Sequence, residues 1–156
     1  MQLFTACSKE DKTKSDVKTF IEQVQNNKYL ESNLPHFTPD AIPVLLEYAN
    51  DFREIENFPV NPASSQGFSK KTIGECLLWT IEHIRLHYGK YNNGYQFPSL
   101  IPELFNSSDE LHYDLSISQL KEAVKLYSEW WNANTNTNFD GLRLINPLEG
   151  SGFKWR

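Results

Sequence analysis

The chain has 156 residues and a formal net charge of −5, with 39% hydrophobic and 13% aromatic residues. That much apolar material supports one domain of ordinary size with its own core, and excludes a chain disordered throughout. The acidic balance carries no electrostatic footprint for nucleic acid, no run of about 18 apolar residues marks a membrane-spanning helix, and two cysteines cannot build a disulfide framework.

The N-terminal stretch concerns address. Phe4-Thr5-Ala6-Cys7 is followed at once by Ser8 to Asp16, a polar and charged run without an apolar residue. Small residues before a cysteine, then such a run, resemble the end of a bacterial lipoprotein signal peptide and the start of its tether. Only six residues precede Cys7 and none is basic, so Met1 is expected to be internal, with the rest of the signal upstream. Residues 1–15 therefore read as a signal remnant and flexible tether, and 16–156 as a single helical domain. Lipid on Cys7 would anchor the protein, since each buried methylene contributes about 0.8 kcal/mol. Lys9-Glu10-Asp11 resembles the surface-export signal of Bacteroidetes lipoproteins. The expected address is the outer membrane, with the cell surface and the inner leaflet as the two alternative faces. Cys76 then lacks a disulfide partner and is expected to be buried.

In chain order, Val17, Phe20, Ile21 and Val24 recur at helical spacing and predict a helix over 16–26, capped by Ser15 or Asp16. Thr38 and Pro39 suit the N-cap and N1 of a second helix, with Phe37 and Ile42 at staple spacing and Ile42, Leu45, Leu46 and Ala49 inward. Pro43 removes one hydrogen bond inside it. Residues 52–70, with Pro59, Pro62 and Gly67, read as a long loop. Residues 72–88 form the longest and most apolar helix: Ile73, Leu77, Ile81, Ile84 and Tyr88 line one side and Trp79 and Leu86 the other, so it is expected to be central. Gly89 suits C′.

A Tyr/Asn/Gly loop follows, then a short helix over 98–105 and a turn at 106–109. Ser116 and Gln119 have capping-box spacing and open a helix to about Asn132, with Leu120, Ala123, Val124, Tyr127 and Trp131 inward. The last eighteen residues, 139–156, read as an extended segment laid over the helices, including a short strand. The fold class is thus mainly α, a compact irregular helical bundle of about four main helices with a C-terminal extended segment. HEAT-like helical hairpins are the alternative, suggested by Ile42-Pro43-Val44-Leu45-Leu46.

Candidate chemistry is sparse. His83 and His87 stand at i and i+4 on one stripe of a helix, a spacing used by zinc sites. The general-base Glu of the His-Glu-x-x-His signature is absent, and a third ligand would have to come from His36, His112 or a carboxylate. Cys76 lies about 10 Å of helix rise from His83, too far to share one ion with it. The ordinary reading of the pair is a half-buried flank. Glu75 and Glu82 face the same way as Trp79 and have the carboxylates of glycosidase chemistry at the long end of its spacing; ion pairing is the ordinary role. His112, Asp114 and Ser116 lack a nucleophile-elbow context. The binding candidates are aromatic. Trp130 is rotated about 100° from the stripe shared by Tyr127 and Trp131, so the three cannot face one core. Trp130 and Trp131, with the loop tyrosines Tyr91 and Tyr95, suit a sugar ring or a protein partner.

Tyr48-Ala49-Asn50-Asp51, Asn57-Phe58-Pro59-Val60-Asn61-Pro62, Gly74-Glu75-Cys76-Leu77-Leu78-Trp79-Thr80-Ile81-Glu82, Phe97-Pro98-Ser99-Leu100 and Trp130-Trp131 together resemble a family of uncharacterised Bacteroidetes lipoproteins, a domain of unknown function. The resemblance spans about residues 37 to 131. It implies the lipoprotein address and supplies no activity and no catalytic residues. The resulting expectation is a non-enzymatic binding or accessory module, attached to the membrane through Cys7, without cofactor or catalytic residues, and with a protein or glycan partner. A metal-dependent hydrolase using His83 and His87, and a structural envelope-assembly protein, are the alternatives.

Overall fold

The computed structural model describes residues 5–65, 70–89, 96–108 and 114–156, with side chains from residue 13 onward. Among these residues the fold is mainly helical, with five α-helices and two small antiparallel sheets. No helix of the described residues is long and apolar enough to cross a membrane.

Helix α1 spans Thr5–Gln25. Its buried face is the expected one, Val17, Phe20, Ile21 and Val24, but its backbone is already helical at Thr5 rather than from Asp16. The polar run that reads as a flexible tether contains Ala6, Lys9, Glu10 and Lys12, all good helix formers, so the hydrogen-bonded ladder continues upstream of the packed face. The helix stops where Asn27 adopts a positive φ of 56° and Lys28 N–H reaches back to the Gln23 carbonyl at 2.8 Å, a Schellman-type end.

The second helix begins as a 3₁₀ turn, Pro39–Ala41, and becomes α2 over Ile42–Tyr48. Proline explains the split. Pro43 has no N–H to give to the Pro39 carbonyl, which instead accepts from Ile42. Residues 52–70 are not wholly irregular: β1 (Glu54–Ile55) pairs antiparallel with β2 (Lys71–Thr72), Glu54 opposite Thr72 and Ile55 opposite Lys71. Two residues per strand are too few for an alternating pattern to register.

Helix α3, Ile73–His87, is the centre, buried from Ile73 through Ile84 and packed against α1, α2 and α4. Its start is fixed by a complete capping box. Thr72 Oγ1 accepts from Glu75 N–H at 3.2 Å, and the Glu75 carboxylate accepts from Thr72 N–H at 3.1 Å. Gly74 lets this first turn approach α2: a Cβ there would stand 2.3 Å from the Ala49 carbonyl oxygen, while Gly74 N–H bonds to Asp51 O at 2.8 Å. Gly89 follows the helix with φ of 76°, as a C′ residue should.

The short helix expected over 98–105 does not form. Pro98 and Pro102 interrupt a helical ladder, and the segment bends into strand β3, Leu104–Asn106. Its partner is β4, Phe153–Trp155, with Leu104 opposite Trp155 and Asn106 opposite Phe153. Helix α4, Ile117–Ala133, opens with the predicted Ser116–Gln119 capping box. Its buried stripe is Leu120, Ala123, Val124, Tyr127 and Trp130. Trp130, not Trp131, continues the inward face. A four-residue helix, α5 (Phe139–Leu142), stands before β4 in what reads as an extended tail; Asn138 caps it through the Gly141 N–H at 2.8 Å.

Candidate binding site

Charged groups on α3 are committed inside the protein. Glu82, 3% exposed, receives both prongs of the Arg85 guanidinium, Nε at 2.9 Å and Nη2 at 2.8 Å. The Tyr127 hydroxyl donates to the same carboxylate at 2.7 Å and accepts from the Trp155 indole N–H at 2.9 Å. Burial, with the negative charge of Glu82 beside it, holds the Tyr127 hydroxyl well above the usual phenol range. This chain joins α3, α4 and β4 and satisfies every polar group on the way. Arg143, just past α5, donates to the carbonyls of Arg85 (3.1 Å), Leu86 (2.9 Å) and Tyr88 (2.8 Å), so it caps the end of α3 with a cation. Arg85 returns a bond to the Arg143 carbonyl at 2.8 Å.

A second buried cluster gathers Lys71, Glu103 and Arg156. Lys71 Nζ lies 2.8 Å from Glu103 Oε2, and Arg156 Nε 3.3 Å from Oε1. Glu75 is beside them. Burial raises its carboxyl above the usual range, against hydrogen bonds from Thr72 and the charge of Lys71 that pull it down. Lys71, Glu75 and Glu103 form the floor of a polar cleft of about 370 Å³ whose rim includes Glu54, Lys70 and Asp114. The sequence suggested a working pair of carboxylates in Glu75 and Glu82. The fold separates their roles: Glu75 closes a capping box, and Glu82 neutralises Arg85.

Arg156 of this cluster also lines a cavity of about 400 Å³. Phe105 from β3, Trp155 from β4, Leu100 and Ile101 form its apolar walls, and Ser64 and Ser65 stand at its edge. Arg156 lies over the Phe105 ring at 5.0 Å. The Leu100 and Ile101 N–H groups both donate to the Arg156 carbonyl, at 2.9 and 3.1 Å, which fixes the wall. Aromatic faces beside hydroxyls and a guanidinium suit a small amphipathic ligand such as a sugar ring. Neither Phe105 nor Trp155 stands out in sequence as a site residue, because strand pairing between distant segments brings them together.

The aromatic candidates from the sequence are dispersed. Trp130 is 5% exposed and packs edge-on against Tyr127, so its ring serves the core and offers no stacking face; the stripe through Leu120 and Tyr127 carries it inward. Trp131 is half-buried and lines a smaller pocket of about 230 Å³ with Thr13, Lys14, Asp40, Pro43 and Val44. Tyr91, Tyr95 and His112 lie outside the described residues, as does the side chain of Cys7. Asp114 is on the cleft rim and Ser116 is a helix cap. Cys76 is fully buried, and burial pushes its thiol well above the usual range.

The histidines come together more closely than the spacing alone requires. The His83 and His87 ring centroids are 5.3 Å apart, and His36, from the segment before Pro39, is 6.1 Å from His83. His83 is 1% exposed, so the expected half-buried flank applies to His87 alone. Burial, with His87 and His36 beside it, lowers the His83 imidazole to about 4.

The chain belongs to the family described as Domain of unknown function (DUF4943), whose sequence profile matches residues 11–156. No curated protein and no solved structure matches it.

Proposed function

We propose that the protein is a non-enzymatic binding or accessory module, held at the outer membrane by lipid on Cys7, and that its ligand is a glycan seated in the cavity of Phe105, Trp155 and Arg156. The cavity carries this reading: it offers aromatic walls and hydroxyls beside the paired strands β3 and β4. The engagement of Glu75, Glu82 and Glu103 in internal bonds favours recognition over acid–base catalysis. Packing of α1, α2 and α4 on one central helix favours an irregular bundle over HEAT-like hairpins.

Trp155→Ala tests the site. Retention on a panel of immobilised glycans should be present for the wild-type chain and fall at least tenfold for the variant, with folding checked by circular dichroism. A folded variant with undiminished retention refutes the seat. Mass spectrometry of the cell-derived N-terminus tests the anchor, with acylated Cys7 as the expected first residue. One observation favours a second reading, a metal-dependent hydrolase using His83 and His87: His36 approaches the pair. Turnover of ester or phosphoester substrates that disappears in His87→Gln would support it.

A further inference from the structure

We infer that His36, His83 and His87 form a binding site for a divalent transition metal of the zinc class. The inference shares two histidines with the hydrolase reading but requires no turnover. His83 and His87 are on successive turns of α3, and His36 comes from a separate segment, so three imidazoles from two parts of the chain face one region. Two imidazoles sharing a tetrahedral zinc at about 2.0–2.1 Å have ring centroids roughly 5 Å apart. The His83–His87 separation of 5.3 Å matches that centroid spacing. The His36–His83 separation of 6.1 Å is longer, and among the described residues no three His, Cys, Asp or Glu side chains already converge on an ion. His36 is exposed and on a non-helical segment, so the inferred site requires only its side chain to change rotamer, with the two helical ligands in place.

On the outer side of the pair, His87 Nε2 faces the Phe97 carbonyl at 3.4 Å, a backbone partner of the kind that ligating histidines commonly have. That contact directs the second nitrogen of the His87 ring away from the Phe97 carbonyl. Imidazole donors without a carboxylate select zinc, nickel or copper over calcium or magnesium. Three protein ligands leave a fourth position for water.

The test uses the full chain after chelator treatment and dialysis, with Zn²⁺ and Co²⁺ as probes. Calorimetric titration should give one Zn²⁺ per chain, Zn²⁺ should raise Tm by several degrees, and Co²⁺ should give the visible absorption of a low-coordinate imidazole site. His36→Ala and His87→Gln, both at accessible positions, should fold and weaken Zn²⁺ binding at least tenfold each. Absence of binding, or a stoichiometry well below one, overturns the inference and the hydrolase reading together. Wild-type affinity in His36→Ala overturns the three-histidine site. One-to-one binding lost in both variants supports it, and binding without turnover removes only the hydrolase reading.

Discussion

Acid should unfold this protein partly through one side chain. His83 titrates near 6.5 in an unfolded chain and at about 4 in the fold, where burial and the neighbouring His87 and His36 rings oppose its charge. Above about pH 6.5 both states carry it neutral, and it contributes no pH dependence. Between about 6.5 and 4 the unfolded chain takes up a proton that the folded chain refuses, so stability falls with pH. The shift corresponds to about 3 kcal/mol at 1.36 kcal/mol per pH unit, most of which is lost by pH 4.5. Urea denaturation of the metal-free protein and of His83→Gln, at pH 7.5, 5.5 and 4.5, isolates the effect. The variant will be less stable at neutral pH where it packs poorly, but its additional loss on acidification should be smaller than that of the wild type by about 2–3 kcal/mol. Parallel losses in the two proteins, or a His83 resonance titrating near 6.5, would refute the assignment.

Three further outcomes follow from the packing. Gly74→Ala should cost about 1–3 kcal/mol and lower Tm by several degrees, because the added methyl meets the Ala49 carbonyl oxygen and not a side chain that can turn aside; an unchanged Tm would show that α2 and α3 separate freely there. Tyr127→Phe leaves a buried carboxylate and the Trp155 indole N–H each short of a partner, and chemical denaturation should register a loss of about 1–3 kcal/mol. Arg143→Met removes the cation from three carbonyls at the end of α3; a loss of about 1.5–3 kcal/mol should be accompanied by faster amide exchange in that last turn, and exchange at the wild-type rate would deny the capping role.

Where an element announces itself within its own residues, the sequence is sufficient. The apolar stripes of α1 and α4, the Ser116 capping box, the proline pair at the start of α2, the glycine after α3 and the central position of α3 are all local patterns, set by helical periodicity and by which residues can satisfy end groups. Strands of two or three residues carry no such pattern, and the proline-broken 98–105 segment runs into a strand, Leu104–Asn106, that pairs with the distant Phe153–Trp155. The Trp130–Trp131 ambiguity is of the same kind. Adjacent residues differ by about 100° around a helix, and the partner surface, not the pattern, decides which ring is covered.

For function the division is sharper. By itself the sequence determined mainly helical content and an acidic balance, and it singled out His83 and His87 because their spacing is a property of one helix. Only the tertiary structure decided that His36 joins them, that Glu75 and Glu82 are absorbed by a cap and an ion pair, and that Phe105, Trp155 and Arg156 share a cavity. The physical reason is sequence separation. Contacts within a helix are fixed by its rise and turn, whereas contacts across the chain depend on which buried faces fit, and that is settled only when the whole core packs.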